Sequence, residues 1–263
     1  MPATIVSRRS DTRGHANHGW LNTYHTFSFA NYYDSRYEQF GSLRVINEDI
    51  VQPGEGFGKH PHKEYEIFSY ILSGELEHKD SFNNYEVLKR GDVQFTTAGT
   101  GISHSEHNAA KSPATGSPVN FLQIWVRPDD PRLKPAYYTK HFSDASKLNN
   151  LVHILSPADS DRYDPSTIGI HTDFHMYASL LQPGETVSFK VNENVKGGDA
   201  LRRVYVHVAN TADCEVLVKA GSGATVALKK GDGAFVTEIK QGEELSFVGA
   251  GEETAEFVVF DLV

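Results

Sequence analysis

Apolar residues along this chain recur at a spacing of two, in short runs broken by glycine, and hardly anywhere at the three-to-four spacing of an amphipathic helix. In the first half, residues 41–50 read as a strand burying Leu43, Val45 and Ile46, and residues 93–97 and 121–126 read as two more. Residues 66–72, with Ile67, Phe68, Tyr70, Ile71 and Leu72, are apolar enough to be covered on both faces, and Ser73-Gly74 ends that run with a hairpin. The return, residues 75–80, alternates only loosely, so the direction of His78 is unsettled and it is read as structural. In the second half the runs 151–155, 167–171, 176–181, 186–189, 203–209, 215–218, 225–228, 233–238, 244–248 and 256–262 repeat this grammar, and a helical turn is expected near 143–148. Short strands between glycine turns predict an all-β barrel or sandwich. A small closed barrel has an interior wide enough for side chains and one ligand.

A chain of 263 residues can fill one large domain or two modest ones, and two are expected here. Pro128, Pro131 and Pro135 stiffen a segment that neither helix nor central strand tolerates, which sets the boundary: residues 1–135, then 136–263. Residues 109–119 read as a surface loop of the first domain. The stretch 15–40 holds Trp20, Tyr24, Phe27, Phe29, Tyr32, Tyr33, Tyr37 and Phe40. Rings this dense are expected to pack in the core or at its rim, with some flooring a site for a flat substrate.

The candidate chemistry lies in Lys59-His60-Pro61-His62 and Ser103-His104-Ser105-Glu106. On a strand, residues i and i+2 share a face, so each segment offers two ligand-type side chains to one interior. Three imidazoles and a carboxylate suit iron, copper, nickel, manganese or zinc, and four ligands leave such an ion positions open for chemistry. Glu106 is the candidate catalytic residue, as ligand, as general base, or as both in turn. Glu66, four residues past His62, shares the inward face if that strand continues. His25 reads as a hydrogen-bonded structural residue. The glycines of Pro53-Gly54-Glu55-Gly56-Phe57-Gly58 make a turn, not a phosphate cradle, since no Lys-Ser/Thr follows. In the second half no His-x-His occurs, and the position matching His104 is Glu244, so that half is expected to be a metal-free copy.

Charge narrows the partners. Lys and Arg number 25 against 34 Asp and Glu, a net −9, and the basic residues cluster no further than pairs such as Arg8-Arg9. Direct nucleic-acid binding is not expected. The lone Cys214 reads as a small core residue and fits a reducing compartment. With no apolar run near the ~18 residues a membrane helix needs, and no apolar leader at the start, the expectation is a soluble intracellular, cytoplasmic protein, nuclear residence being open.

Gly54, His60, His62, Glu66 and Gly74, then Gly91, Gly101, His104 and Asn108, resemble the two motifs of the cupin superfamily. The finer pattern resembles the pirin family: Gly19-Trp20-Leu21, His25-Thr26-Phe27-Ser28-Phe29, Leu43-Arg44-Val45, Asn47-Glu48-Asp49, His60-Pro61-His62, Gly91-Asp92-Val93-Gln94, Ala98-Gly99-Thr100-Gly101-Ile102 and His104-Ser105-Glu106. It is close over residues 13–106 and looser from about residue 136.

The resemblance implies two cupin-type β-barrels in tandem, a bicupin, with iron in the N-terminal one. It also implies His60, His62, His104 and Glu106 as metal residues. In most cupins the glutamate matching Glu66 is a ligand, whereas in pirins the glutamate of His-x-Glu takes that role, which leaves Glu66 behind the ligands. The activity implied is that of a quercetin 2,3-dioxygenase, opening a flavonol-like ring with dioxygen and releasing carbon monoxide. The alternative, implied by vertebrate pirin, is a redox-sensing iron protein that acts as a transcription cofactor by binding other proteins.

Overall fold

The computed structural model describes residues 2–158, 163–193 and 201–263. The chain opens with β1 (Thr4–Arg8), and a first set of strands follows: β2 (Gly14–Asn17), β3 (Leu21–His25), β4 (Leu43–Val51), β5 (Gly56–His62), β6 (Glu66–Ser73), β7 (Glu75–Asp80), β8 (Tyr85–Lys89), β9 (Asp92–Thr97), β10 (Ile102–Asn108), β11 (Val119–Val126) and β12 (Ala136–His141). The helical turn α1 (Asp144–Lys147) forms where Ser143 accepts from the Ser146 amide as its N-cap. After it come β13 (Val152–Pro157), β14 (Ile168–Ile170), β15 (Phe174–Leu181), β16 (Thr186–Lys190), β17 (Leu201–Val208), β18 (Glu215–Ala220), β19 (Thr225–Lys229), β20 (Gly233–Lys240), β21 (Glu244–Gly249) and β22 (Ala255–Leu262).

The expected all-β, two-unit organisation is what the structure has, and every strand expected in the second half forms, within two residues at either end. The division differs from the expected one in two places. One unit is Arg13–His141, and the other joins Met1–Thr12 to Phe142–Val263. The proline segment is therefore a connection inside the first unit, because β12 beyond it pairs with β9, Tyr138 opposite Phe95. The opening strand belongs with the second half: β1 pairs with β20, Val6 opposite Phe235, and Ala3 sits in that unit's core. Asp232 fixes the return, accepting from the Ser10 amide at 2.7 Å and from Arg9 Nη1 at 2.8 Å.

Each unit pairs a seven-stranded sheet with a four-stranded one. In the first unit the sheets run β12-β9-β6-β11-β4-β3-β2 and β5-β10-β7-β8. Strand register lays the inward side chains of the larger sheet in rows. One row is polar: His25, Asn47, Gln123, Ser69 and Gln94 stand opposite one another in turn. The next row is Thr23, Asp49, Phe121 and Ile71. Beyond it Leu21, Val51 and Val119 meet Leu76 and Leu88 of the smaller sheet, and with Phe121 and Ile71 they form an apolar layer that closes one end. Each such side chain, fully buried, contributes roughly 1.5–3 kcal/mol. The barrel thus grades from an apolar closed end to a polar interior.

The second unit also sets buried polar groups beside an apolar core: Arg202 donates to Asp173 and Asp261. Its interior is packed with apolar groups, among them Val206, Val216, Leu245, Phe247 and Phe257. Cys214 is part of that packing at 3 % exposure, and burial pushes its thiol up to about 11. The thiolate is the reactive form. At pH 8 the native protein should therefore resist a disulfide reagent such as dithionitrobenzoate and take up one equivalent once guanidinium unfolds it; rapid stoichiometric labelling of native protein would contradict this packing.

Candidate metal centre

The donors meet because β5 and β10 are antiparallel neighbours with His60 directly opposite His104. One register step on, Glu106 lies opposite Phe57, so β5 uses three residues where β10 uses two. The extra residue is a β-bulge at Gly58-Lys59. It restores to Phe57 the inward face it would lose by strict alternation, and Phe57, His60 and His62 all line one cavity. Gly56 lets the strands close up there: a Cβ on it would lie 2.4 Å from the Glu106 carbonyl oxygen and 2.5 Å from His107 Cα. Replacing Gly56 with alanine would wedge β5 off β10.

Three imidazoles converge. The ligating atoms of His60, His62 and His104 lie within 4.8 Å of one another, and among the described residues no other such group of three occurs. His60 Nδ1 donates to the Gly58 carbonyl at 2.7 Å, which leaves the Nε2 lone pair facing inward. That Nε2 is 3.1 Å from His104 Nε2. His62 Nε2 is buried with no hydrogen-bond partner among the described residues. Burial, reinforced by the neighbouring imidazoles, holds His62 and His104 down at about 3, so both rings are neutral near pH 7. Neutral imidazoles with converging lone pairs repel each other unless a cation sits between them. Two nitrogens 3.1 Å apart match the ~3 Å between adjacent ligands on an ion with bonds of about 2.1 Å at right angles. The donor set fits a first-row divalent ion.

Glu106 shares the inward face of β10 with His104, both 1 % exposed. Its carboxylate stands to one side of the imidazoles, Oε2 4.0 Å from His104 Nε2. Ser69 Oγ donates to Oε1 at 3.2 Å and Gln123 Nε2 to Oε2 at 3.0 Å, so the polar row of the larger sheet holds it. Glu66 is not brought to the site. The strand does not run on past His62, because Glu64 turns the chain at φ 69° and its amide donates to the Gly99 carbonyl. On β6, Glu66 takes the opposite face from Ser69 and accepts from Thr97 Oγ1 at 3.1 Å.

Other residues complete the site. His78, fully buried on β7, places Nε2 3.1 Å from His104 Nδ1, so His104 can donate from Nδ1 and keep Nε2 free for a metal. The His78 ring stacks on Tyr137, centroids 5.1 Å apart. Burial lowers the His78 pKa. A cavity of about 550 Å³ opens beside His60 and His62. Trp125 meets His62 edge to face at 4.9 Å and Phe29 at 5.5 Å, and Tyr32 continues the wall. The aromatic run thus divides as expected: Phe27 is core, whereas Phe29 and Tyr32 face the cavity. His25 is structural, its Nδ1 2.8 Å from Asn47 Oδ1, although its ring also lines the cavity.

Sequence reasoning missed His78, Gln123, Trp125, Asp49 and Thr23. The signal was a polar residue in an otherwise apolar strand, such as Gln123 in Phe121-Leu122-Gln123-Ile124-Trp125, or the buried alternation Leu76, His78, Asp80.

The sequence pattern of the pirin family matches residues 6–126. A quercetin 2,3-dioxygenase of Escherichia coli strain K12 is 42% identical over 204 residues, 78% of this chain and 80% of that protein. A pirin-like protein of Caulobacter vibrioides is 35% identical over 187 residues, 71% and 77% of the two chains. The crystal structure of YhhW from E. coli superposes with a TM-score of 0.81 at 34% identity, covering 99% of this chain and 98% of that one. A second structure, described as bacterial pirin YhhW in complex with nickel(II), gives 0.80 at 34% identity, with 98% and 99% covered.

The hydrogen bond to His104 makes His78 a test of the centre. His78→Ala should weaken divalent-metal affinity about 10–100-fold while the fold is kept, as read by titration against a competing chelator. Unchanged affinity would remove His78 from the site.

Proposed function

Because the chain belongs to the pirin family of cupin proteins, we propose that its first unit is an iron-dependent dioxygenase that opens flavonol-like or related enolisable aromatic substrates with O2. One observation carries this reading: three imidazoles converge beside a carboxylate at the wall of an aromatic-lined cavity. A volume of about 550 Å³ lies within the range of small-molecule pockets. The names of the relatives and the nickel(II) in the E. coli structure belong to those proteins; they support an N,O donor set that accepts first-row ions. Iron is proposed as a redox-active member of this set; copper and manganese suit the same donors.

His60, His62 and His104 would hold the ion, with Glu106 as the fourth donor. When bound, the ion supplies Lewis-acid activation of a substrate hydroxyl and access to dioxygen chemistry. Glu106 takes the proton of that hydroxyl and holds it at Oε2, where Gln123 is already in hydrogen-bond contact. Trp125 Nε1, buried with no partner among the described residues, is the donor available to a substrate oxygen beside His62. Phe29, Tyr32 and Phe57 hold a flat ring and keep water out.

The test is oxygen uptake with quercetin by iron-loaded protein. Turnover should vanish in His60→Ala, stop on chelation and return with ferrous iron. Glu106→Gln should lower kcat by about 10²–10⁴. Iron-loaded protein that turns over no polyphenol would remove the proposal.

A further inference from the structure

The cavity carries a second polar feature nearer its closed end. Thr23 and Asp49 stand directly opposite each other on β3 and β4, so their side chains leave the sheet side by side on one face. Both line the cavity, and they are 4 % and 2 % exposed. Neither Thr23 Oγ1 nor Asp49 Oδ1 has a hydrogen-bond partner among the described residues. Buried polar groups are ordinarily paired. The neighbouring cross-strand pair on the same two strands, His25 and Asn47, is paired at 2.8 Å.

A hydroxyl and a carboxyl side by side offer a donor and an acceptor to one point. A ligand hydroxyl can donate to Asp49 while its oxygen accepts from Thr23. Burial holds the Asp49 carboxyl up at about 7, opposed by the neighbouring Thr23 hydroxyl and reinforced by the Glu106 and Glu48 carboxylates. A carboxyl oxygen buried without a hydrogen-bond partner lowers stability, and an amide of the same shape would do so less. Stability therefore gives no reason for this residue, whereas ligand recognition does.

We infer that Thr23 and Asp49 are the specificity-determining pair of this pocket, taking one phenolic hydroxyl of a planar substrate at the closed end of the cavity. The inference rests on the proposed function and names the substrate feature that the site reads. A wall built to hydrogen-bond a hydroxyl discriminates strongly against the analogue that lacks it, because the buried groups are then left unpaired.

The test uses the whole chain loaded with iron and kept free of dioxygen, so that binding is measured without turnover. Calorimetric titration compares quercetin, whose pendant ring carries hydroxyls, with galangin, whose pendant ring has none. Wild type should bind quercetin at least about tenfold more tightly. Thr23→Val and Asp49→Asn should each bring the two affinities within about twofold, by weakening quercetin more than galangin. Asp49→Asn should melt no lower than wild type, and Thr23→Val carries the test alone if it does. Equal affinities in wild type, no binding of either flavonol, or a preference that persists in the variants would overturn the inference. Turnover in air is read separately. Hydroxyl-dependent binding without turnover would overturn the enzymatic reading alone, and turnover of both flavonols at equal affinity would overturn this pair alone.

Discussion

The pairing of β5 with β10 decides where the chemistry can be. It sets His60 against His104 and brings His62 in two residues further along. A slip of one residue would turn every one of these side chains to the other face of the sheet. The bulge at Gly58-Lys59 and the glycine at position 56 protect that register. Both belong to backbone geometry, and the donors are placed by it before any side-chain contact is made.

From that pairing the rest of the first barrel follows. An interior that presents imidazoles and a carboxylate must hold them in place, and the polar row from His25 to Gln94 is the part of the larger sheet that does so. Ser69 and Gln123 of that row fix Glu106, while His78 from the smaller sheet fixes His104. Such an interior costs stability: an unpaired buried polar group is unfavourable by about 1–3 kcal/mol, and Thr23, Asp49, His62 and Trp125 each carry one on the wall of a single cavity. The apolar layer around Phe121 offsets part of this at the closed end. The second unit is packed with apolar side chains around Val206, Leu245 and Phe257, and it buries polar ones as well, Ser179 and Arg202 among them. Proteins accept local instability where it serves a site, and here it is concentrated in one place.

Much of this was legible from residue pattern. Period-two alternation and glycine turns located the strands, and the i, i+2 rule put His60 with His62 and His104 with Glu106 on shared faces. What stayed hidden depended on long-range register. Nothing local in Thr4-Ile5-Val6 tells that it pairs with Phe235 and its neighbours, some 230 residues away. Glu66 was assigned inward by counting along a strand that in fact ends at His62, so the count ran through a turn and reversed its face. His78 reads as structural with its direction unsettled, because residues 75–80 alternate only loosely in sequence, whereas the structure buries Leu76, His78 and Asp80 on one face. The prolines of residues 128–135 mark a loop, and the unit's last strand lies beyond them because β9 needs a partner on its free edge.

The most direct measurement is anomalous diffraction from crystals of the iron-loaded protein, recorded on either side of the iron absorption edge. The account predicts one strong peak per chain, about 2.1 Å from the Nε2 atoms of His60, His62 and His104, with a Glu106 oxygen turned toward it. A peak bound by other residues, or no ordered peak among these three histidines in protein shown to contain iron, would contradict it.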